Sequence, residues 1–503
     1  MYGNHMMKKE GIDALVNLCS RRGILLPSYE IYGELAGFYD YGPTGVSIRH
    51  RIEGLWRDMF ITGMGNMEVF TSIIGPSIMF EASGHLSTFT DPISKCEKCG
   101  ATYRVDKLLQ AYFEGKGDTK RANEVLKMGI EDLDKSLRES GIKCEKCGGN
   151  LGRVVNFNLM MGTDIGPLGN VKGFLRPETA QGIFTDFKKL ARAYGIKLPI
   201  GIGQVGKAFR NEISPRKILI RMREFSQMEL EFFFDPGDKA LYIDGSEIKN
   251  ANLSKEVNFL SREVQQGGSQ DCSKAKISEL IASGLVPNTL MGYLMQNEAD
   301  FLSSLGIAED KIRYRQPMKE ELPHYSKGNI DVEVLIGSDY EEVIGNAYRT
   351  DFDLQNHQKY SKEDMSIVNG DSKVVPHVVE ASFGLDRLFW AVMSNSLYND
   401  DKRGWDVLLL SKKVAPYDYA VFPLQKDDKI MAKAKEIDSR LKSMKLYTFF
   451  GQSGSIGKRY ARADEIGIPN AITVDYQTLE DDTVTVRNIN DASQIRIKVG
   501  DIK

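Results

Sequence analysis

The chain has 503 residues, 42% of them apolar and 27% charged, which is ordinary globular composition; at roughly 150 residues per domain it corresponds to about three folding units, and intrinsic disorder is excluded. Lys and Arg number 66 against 69 Asp and Glu, a net charge of −3 that rules out a histone-like polycation and leaves room for a local nucleic-acid surface. No apolar run reaches the ~18 residues of a membrane span and six cysteines are too few for a disulfide framework, so the chain reads as soluble and intracellular, with no membrane partner.

The first ten residues are polar, with Lys8 and Lys9, and lead into no hydrophobic core, so they are not read as a secretory signal. Met6 or Met7 is an alternative start, with Tyr2 to His5 then an expression remnant. Tyr39-Asp-Tyr-Gly-Pro43 precedes a helix that runs up to Trp56. The pentapeptide Cys-Glu-Lys-Cys-Gly occurs twice, at 96–100 and 144–148. Between the copies, 106–141 is charged and helix-prone (Lys107-Leu-Leu-Gln110, Glu124-Val-Leu-Lys127) and reads as an insertion hung on a small knuckle. Residues 201–235 alternate glycine turns with strand-like runs that end in Met228-Glu-Leu-Glu-Phe-Phe-Phe234. Residues 240–325 are polar and helix-leaning around a loop at Gly267-Gly-Ser269, and are expected to be a second, helical insertion.

Strand patterning returns at 330–354 and 374–383, followed by a helix over 385–393. The polar Asn399-Asp-Asp-Lys-Arg-Gly404 reads as a linker. Strands at 406–410, 420–423 and 472–475 and a helix over 429–445 then alternate, which predicts a compact α/β unit with a partly parallel sheet. The first part fits α+β. The expected division is therefore 1–403 and 404–503, with insertions at about 96–147 and 240–325 in the first part.

Three groups of residues carry chemistry. Cys96-x2-Cys99 and Cys144-x2-Cys147 each present two thiolates from one tight turn, and two such knuckles close a tetrahedron around Zn²⁺. Four unligated thiols are the bland alternative, and they leave the identical pairing unexplained. No fifth ligand is tied to the set, so the site reads as structural; Cys19 and Cys272 read as ordinary thiols.

The second group runs Gly206-Lys-Ala-Phe-Arg210-Asn-Glu212, then Ile213-Ser-Pro-Arg216-Lys217, then Ile220-Arg-Met-Arg-Glu-Phe225. Two extended runs flank a Pro215 loop, an Arg at the end of one can grip a phosphate bidentately, and Phe225 on the return run can stack on a base. Just beyond, Glu229 and Glu231 share a strand face by period-2 alternation. A solvated basic hairpin tip is the competing reading of this group taken alone.

The third is Pro376-His-Val-Val-Glu380-Ala-Ser382-Phe-Gly384-Leu-Asp-Arg387. It reads as a strand, a glycine and a helix start. Glu380 and Ser382 fall on one strand face, and Arg387 lies in a first helical turn, where free amides already favour an anion. A core strand with a surface Arg leaves the carboxylate–hydroxyl pair beside the glycine unaccounted for.

The second and third groups together resemble the class II aminoacyl-tRNA synthetases, and fuller strings resemble the glycyl-tRNA synthetase family of the homodimeric type. Tyr39-Asp-Tyr-Gly-Pro43 with its helix is similar to that family's dimer-interface motif. Glu81-Ala-Ser-Gly-His85, Phe89-Thr-Asp-Pro92, Arg176-Pro-Glu-Thr-Ala-Gln181 and Arg349-Thr-Asp-Phe-Asp-Leu354 match its characteristic segments. Ser453-Gly-Ser-Ile-Gly457-Lys-Arg-Tyr-Ala-Arg462 resembles its anticodon-binding domain. The resemblance runs from about residue 8 to the end, and is weakest at 106–141 and 240–325.

It implies an α+β catalytic domain with the class II antiparallel sheet, plus a C-terminal α/β anticodon-binding domain. It implies a cytoplasmic homodimer that joins glycine to tRNA-Gly through a glycyl-adenylate, using ATP with Mg²⁺ and a structural Zn²⁺. Arg210, with Glu212 beside it, and Arg387 would be catalytic, Arg210 on the α-phosphate and Arg387 on the γ-phosphate. ATP would also meet Asn211, Ile220, Arg221, Met222, Arg223 and Glu224, with Phe225 on adenine, together with Glu342, Val343, Gly384, Leu385 and Asp386. Glycine would be held by Glu178, Glu229, Glu380 and Ser382, approached by Arg104, with Phe225, Ser226, Gln227, Met228, Ala381, Phe383 and Gly384 around it. Within 342–347 the sequence departs from the family pattern at Ile344 and Asn346.

Activation by in-line attack on phosphorus needs positioning and charge stabilisation rather than a protein nucleophile, which agrees with the lack of a Ser-His or Cys-His pair. Residues 405–503 carry 16 Lys and Arg against 14 Asp and Glu; on charge alone Lys458, Arg459 and Arg462 read equally as a solvated helix face, and the resemblance implies that they cluster on one helical face toward tRNA phosphate. The rival readings are a synthetase for another amino acid, a catalytically inactive paralogue that binds nucleic acid, and a zinc-dependent RNA-binding module. The first lacks the glycyl-type strings around Glu178 and Glu380, the second should have lost Arg210 or Arg387, and the third leaves the second and third groups unexplained.

Overall fold

A computed structural model describes residues 9–125, 127–238, 240–323, 325–400 and 402–502; the readings of Met1 to Lys8 as an alternative start and as no signal lie outside the described residues, as does Leu126. In chain order the main helices are α1 (Lys9–Arg21), α2 (Pro43–Trp56), α3 (Ala180–Tyr194), α4 (Thr289–Ser304), α5 (Leu385–Ser396), α6 (Asp428–Ser443) and α7 (Ile456–Glu465). The first sheet is made by β1 (Met67–Glu68), β2 (Ile200–Phe209), β3 (Glu224–Phe234), β4 (Glu256–Leu260), β5 (Ser273–Lys276), β6 (Ile312–Arg315), β7 (Asn329–Ile336), β8 (Asp339–Thr350) and β9 (His377–Gly384). Its nine strands run in the order β5-β4-β6-β7-β8-β9-β3-β2-β1. Pairing is antiparallel except for β1 with β2 and β4 with β6.

Period-2 alternation along β3 decides what each face of this sheet does. Met228, Leu230, Phe232 and Phe234 point into a core shared with α2, α4 and α5. There Phe383 meets Trp56, Phe60 and Phe301 at ring-centroid distances of 6.1, 4.8 and 5.7 Å. Phe233 points the other way and stacks on Phe187 of α3 at 4.2 Å. Between Phe225 and Phe233 that second face carries Gln227, Glu229 and Glu231, and it is left open as a cleft over part of its length. Pro at the first position starts α2 with its φ already set. Gly42 before it has no room for a side chain, because a Cβ would stand 1.8 Å from the Gly23 carbonyl oxygen.

Two segments differ from the sequence reading. The stretch 240–325, expected to be a helical insertion, contributes β4, β5 and β6 to the far edge of the main sheet, while α4 packs Phe301 against Phe60 at 5.6 Å. These strands are four or five residues long and carry polar side chains in alternation, so their strand signal is weak beside that of the long α4. Of the polar 399–404 stretch, Asn399 and Asp400 lie in the strand Leu397–Asp400, which pairs with Trp405–Leu408.

The cysteine knuckles flank a three-stranded sheet (Thr90–Lys95, Thr102–Arg104, Val155–Asn158). The charged stretch between them folds into helices Val105–Gly115, Thr119–Val125 and Ile130–Ser140 around a core of their own that includes Leu109, Leu133 and Leu137. The C-terminal sheet is made by β10 (Tyr419–Pro423), β11 (Thr448–Phe450), β12 (Asn470–Val474), β13 (Thr483–Asn488) and β14 (Gln494–Lys498), in the order β11-β10-β12-β13-β14. β10 is parallel to both its neighbours and the rest is antiparallel, with α6 packed on the sheet through Ile430, Ile437 and Leu441. The architecture is α+β, with an antiparallel-dominated sheet followed by an α/β unit.

Candidate active site

A cleft of about 430 Å³ lies over β3, β8 and β9. Register puts its polar residues side by side: Glu229 faces Ser382, and Glu231 faces Glu380, across the β3–β9 pair. The Ser382 hydroxyl and the Gln227 amide donate to Glu229 Oε1 at 3.0 and 2.9 Å, and the Thr179 hydroxyl donates to its other oxygen. Glu178, from the segment before α3, completes the group; Gln181 donates to it at 2.9 Å, and His85 Nε2 stands 3.5 Å away.

One guanidinium holds these carboxylates together. Arg349, 1% exposed, donates to Glu380 Oε2 at 2.9 Å, to both oxygens of Asp353 at 2.7 and 2.9 Å, and lies 3.7 Å from Glu178. It also sits over the Tyr325 ring at 3.9 Å. The backbone aims it. Strand β8 is irregular between Tyr348 and Thr350, and Thr350 has φ 56°, a conformation that a β-branched residue rarely adopts.

The electrostatics are lopsided. Glu178, Glu229, Glu231, Asp353 and Glu380 are all buried around Arg349. Burial opposes the charge on Glu178, but His85 and Arg349 outweigh it and hold its carboxyl well below the usual range. Burial, with the negative charge of Glu178, pushes Glu229 up. Glu380 is pushed up to about 8 by burial, which Arg349 opposes and Glu178 and Glu229 reinforce. Glu231 makes no hydrogen bond among the described residues, and burial drives its carboxyl well above the ordinary value. A cluster so short of positive charge is built for a small cation with several N–H donors.

The mouth of the cleft has the opposite character. The Arg210 guanidinium lies 5.2 Å from the Phe225 ring and 5.3 Å from Phe89, and its Nε donates to the Pro177 carbonyl at 3.1 Å. Arg221 pairs with Glu212 at 2.8 Å. Arg387, a third exposed in the first turn of α5, donates from Nε to the Ile220 carbonyl at 3.1 Å and from Nη1 to the Glu342 carbonyl at 2.8 Å. Asp386 accepts from the Tyr41 hydroxyl and from the Ser226 amide. Asp331 lies in the same cleft as Glu342, tied to Arg315 at 2.9 Å.

The structure therefore brings together Arg210, Glu212, Ile220, Arg221, Met222, Phe225, Ser226, Gln227 and Glu229 from one hairpin. Glu178, Glu342, Val343, Glu380, Ser382, Gly384, Asp386 and Arg387 join them. Other expected contacts need correction. Met228, Ala381, Phe383 and Leu385 are fully buried in the core, because alternation turns these strand residues, and the start of α5, to the back of the sheet. Arg104 is engaged by Asp106 at 2.6 Å and Asp91 at 3.2 Å, outside the cleft lining. Arg223 donates to the Glu212 and Ala36 carbonyls, Glu224 pairs with Lys207 at 3.2 Å, and Asn211 bonds through its amide to the Leu159 carbonyl. Arg349, Asp353 and Tyr325 were given no role from sequence. The Arg349–Leu354 string was visible there as a segment that matches the family, and two charges four residues apart at a strand end were its only physical signal.

Away from the cleft, the sulfurs of Cys96, Cys99, Cys144 and Cys147 all lie within 4.8 Å of one another, with Cys96–Cys147 and Cys99–Cys144 at 3.5 Å. A tetrahedron with 2.3 Å metal–sulfur bonds has edges of about 3.8 Å, so the donor set fits Zn²⁺. On α7, Lys458 and Arg462 are exposed. Arg459 is not on their face: it is 4% exposed and donates to the carbonyls of Pro423, Gly451 and Leu424, which uses its charge to cap loop ends.

Residues 418–503 match the family described as "Anticodon binding domain". The chain is 36% identical to a glycine–tRNA ligase of Methanothrix thermoacetophila over 97% of this chain and 95% of that protein. It is also 36% identical to those of Archaeoglobus fulgidus (97% and 95% covered) and Pyrococcus horikoshii (98% and 98%). Among solved structures, a Giardia lamblia prolyl-tRNA synthetase in complex with prolyl-adenylate superposes with a TM-score of 0.60 at 13% identity, covering 99% of this chain and 76% of that one, a likeness of fold.

Proposed function

Because the chain belongs to the glycine–tRNA ligase family, we infer that it activates glycine with ATP and transfers the glycyl group to tRNA-Gly. The observation that carries this reading is the buried carboxylate cluster of Glu178, Glu229 and Glu380 beside Ser382, opening toward Arg210 and Arg387. The ammonium of glycine sits among the carboxylates, where each N–H finds an acceptor, and its positive charge offsets their excess. Its carboxylate then faces the mouth of the cleft. An oxygen of that carboxylate attacks the α-phosphorus, the new O–P bond forms as the α–β bridging bond breaks, and pyrophosphate leaves with the electron pair. Arg210 neutralises the α-phosphate and Arg387 the γ-phosphate, while Phe225 stacks on adenine. The 3′-terminal ribose hydroxyl of tRNA next attacks the glycyl carbonyl and AMP leaves.

Mg²⁺ arriving with ATP supplies further neutralisation of the phosphates, and Glu342 and Asp331 are the carboxylates that would hold it. In this reading 1–403 performs the chemistry and 404–503 engages tRNA through Lys458 and Arg462. The chain works as a cytoplasmic homodimer. Ile31 and Tyr32, each 86% exposed, and the exposed Leu35 are apolar side chains that one copy leaves in solvent, which supports a second copy packing there. An inactive paralogue would have no use for two arginines kept at the cleft.

The direct test is glycine-dependent exchange of pyrophosphate into ATP without tRNA, with alanine, serine and proline as controls. Exchange is expected with glycine alone, since glycine offers no side chain and a packed pocket rejects larger ones by clash. Exchange with another amino acid, or with none, overturns the reading.

Cys96, Cys99, Cys144 and Cys147 would hold a Zn²⁺ ion that supports folding of the 90–158 unit. Chelation or Cys99→Ser is expected to remove about one zinc per chain and to lower the melting temperature, leaving exchange within about threefold. Metal analysis, melting curves and exchange on the same sample check this. A tenfold loss of exchange in still-folded protein would give the knuckle a role in catalysis.

A further inference from the structure

The two units meet through arginines on the catalytic side and carboxylates on the C-terminal side. At the end of α7, Asp464 and Glu465 are 1% and 4% exposed. Glu465 accepts from Arg21, the last residue of α1, at 2.7 Å, and from the adjacent Arg22. Asp464 accepts two hydrogen bonds from Arg487, at 2.7 and 2.8 Å. It also accepts the Trp405 indole N–H at 3.1 Å and Arg403 at 3.2 Å, so the hairpin that joins the units is tied to the same turn of helix. A second point of attachment lies on α2, where Arg51 meets Asp418 at 2.9 Å and lies 5.0 Å from the Tyr447 ring.

Helix α7 thus has two jobs along its length. Positions 458, 462 and 465 follow the i, i+4, i+7 spacing of one helical stripe. The stripe begins with Lys458 and Arg462 in solvent and ends with Glu465 against the catalytic unit, where Arg21, with its side chain 52% exposed, continues the basic surface. Behind Arg21, α1 packs against α5, the helix whose first turn carries Arg387. An RNA held by both units makes its second contact intramolecularly, and the gain from that contact depends on the distance between the two sites being held. Ion pairs at a junction whose carboxylates are buried hold an angle as well as a distance, because each carboxylate is fixed from several directions.

We propose that Glu465, through Arg21 and Arg22, is a positioning residue for the tRNA step: it latches the basic stripe of α7 at a set distance from the cleft, and is needed for charging tRNA but not for activating glycine. This rests on the ligase reading above. Glu465→Gln keeps the side chain's shape and removes its charge, and the Arg21→Met/Arg22→Met double variant breaks the same contact from the other side, together with the 3.7 Å approach of Arg21 to Asp406.

The full chain, its two variants and their combination are assayed for glycine-dependent exchange without tRNA and for charging at varied tRNA-Gly. Exchange is expected to stay within about twofold in every variant. The KM for tRNA should rise about tenfold, the size of an ordinary coupling between sites, with a smaller change in kcat. The combined variant should be no worse than the arginine double variant alone, because the Glu465 contact is broken once. An unchanged KM for tRNA, a fall in exchange parallel to that in charging, or losses that multiply in the combined variant each overturn the latch. Absence of glycine-dependent exchange in the parent protein overturns the ligase reading instead.

Discussion

Replacing Arg349 with Met is expected to destabilise the catalytic unit by about 3–5 kcal/mol, the cost of removing one partner from a buried ion pair, and to abolish glycine-dependent exchange. The guanidinium is 1% exposed and is the shared counter-charge of Glu380, Asp353 and Glu178. Without it the carboxylates must take up protons or draw in water, since the interior does not tolerate an unpaired charge. Folding free energies of whole domains are only about 5–15 kcal/mol, so the loss is a large share of the total. A melting curve together with the exchange assay measures both effects. Adding Glu380→Gln to Arg349→Met should recover part of the stability, because it removes a buried carboxyl that must otherwise take up a proton, and little of the activity. If the single variant melts within a degree or two of the parent, the cluster is not organised by Arg349.

Arg387→Ala is expected to leave the fold intact and to slow exchange by about 10²–10³, the effect of removing one donor from a preorganised charge-stabilising site. Arg387 is a third exposed, and its hydrogen bonds go to the carbonyls of Ile220 and Glu342 and, at 3.2 Å, to the half-exposed Glu342 carboxylate, all of which water can satisfy in its absence. The loss should fall mainly on kcat, since charge builds on the leaving pyrophosphate in the transition state. Arg387→Lys should recover little, because an ammonium cannot reproduce two bonds made from one planar fork. Melting temperatures within about two degrees of the parent and a full exchange titration in ATP are the readouts. A rate within threefold of the parent would mean that pyrophosphate is held elsewhere in the cleft.

These two arginines also divide what is legible in the chain. Arg387 could be placed from sequence, because a strand, a glycine and a helix start lie within twelve residues and local geometry brings the side chain to a helix N-terminus. The paired cysteines were legible for the same reason, as were Glu229 and Glu231 on one face of β3. In each case spacing of a few residues on one element decides the direction of a side chain. The Tyr-Gly-Pro entry to α2 and the open face of β3 belong to this class too.

What only the tertiary structure decided is which distant residues meet, and what covers them. Glu178, Glu229, Arg349, Asp353 and Glu380 come from four separate stretches and converge because β3, β8 and β9 are neighbours in the sheet and α3 packs beside them. Burial of their charges is a property of that convergence, and no single segment carries a sign of it. Arg459 shows the converse: its helical spacing matched a basic face, yet neighbouring carbonyl groups draw it inward. The strands of 256–315 are short and polar, and gain their definition from the sheet edge that they extend. Periodicity in a sequence states which side chains share a face; whether that face meets solvent, a core or a charge depends on partners that, like Glu178 and Glu380, lie about two hundred residues apart.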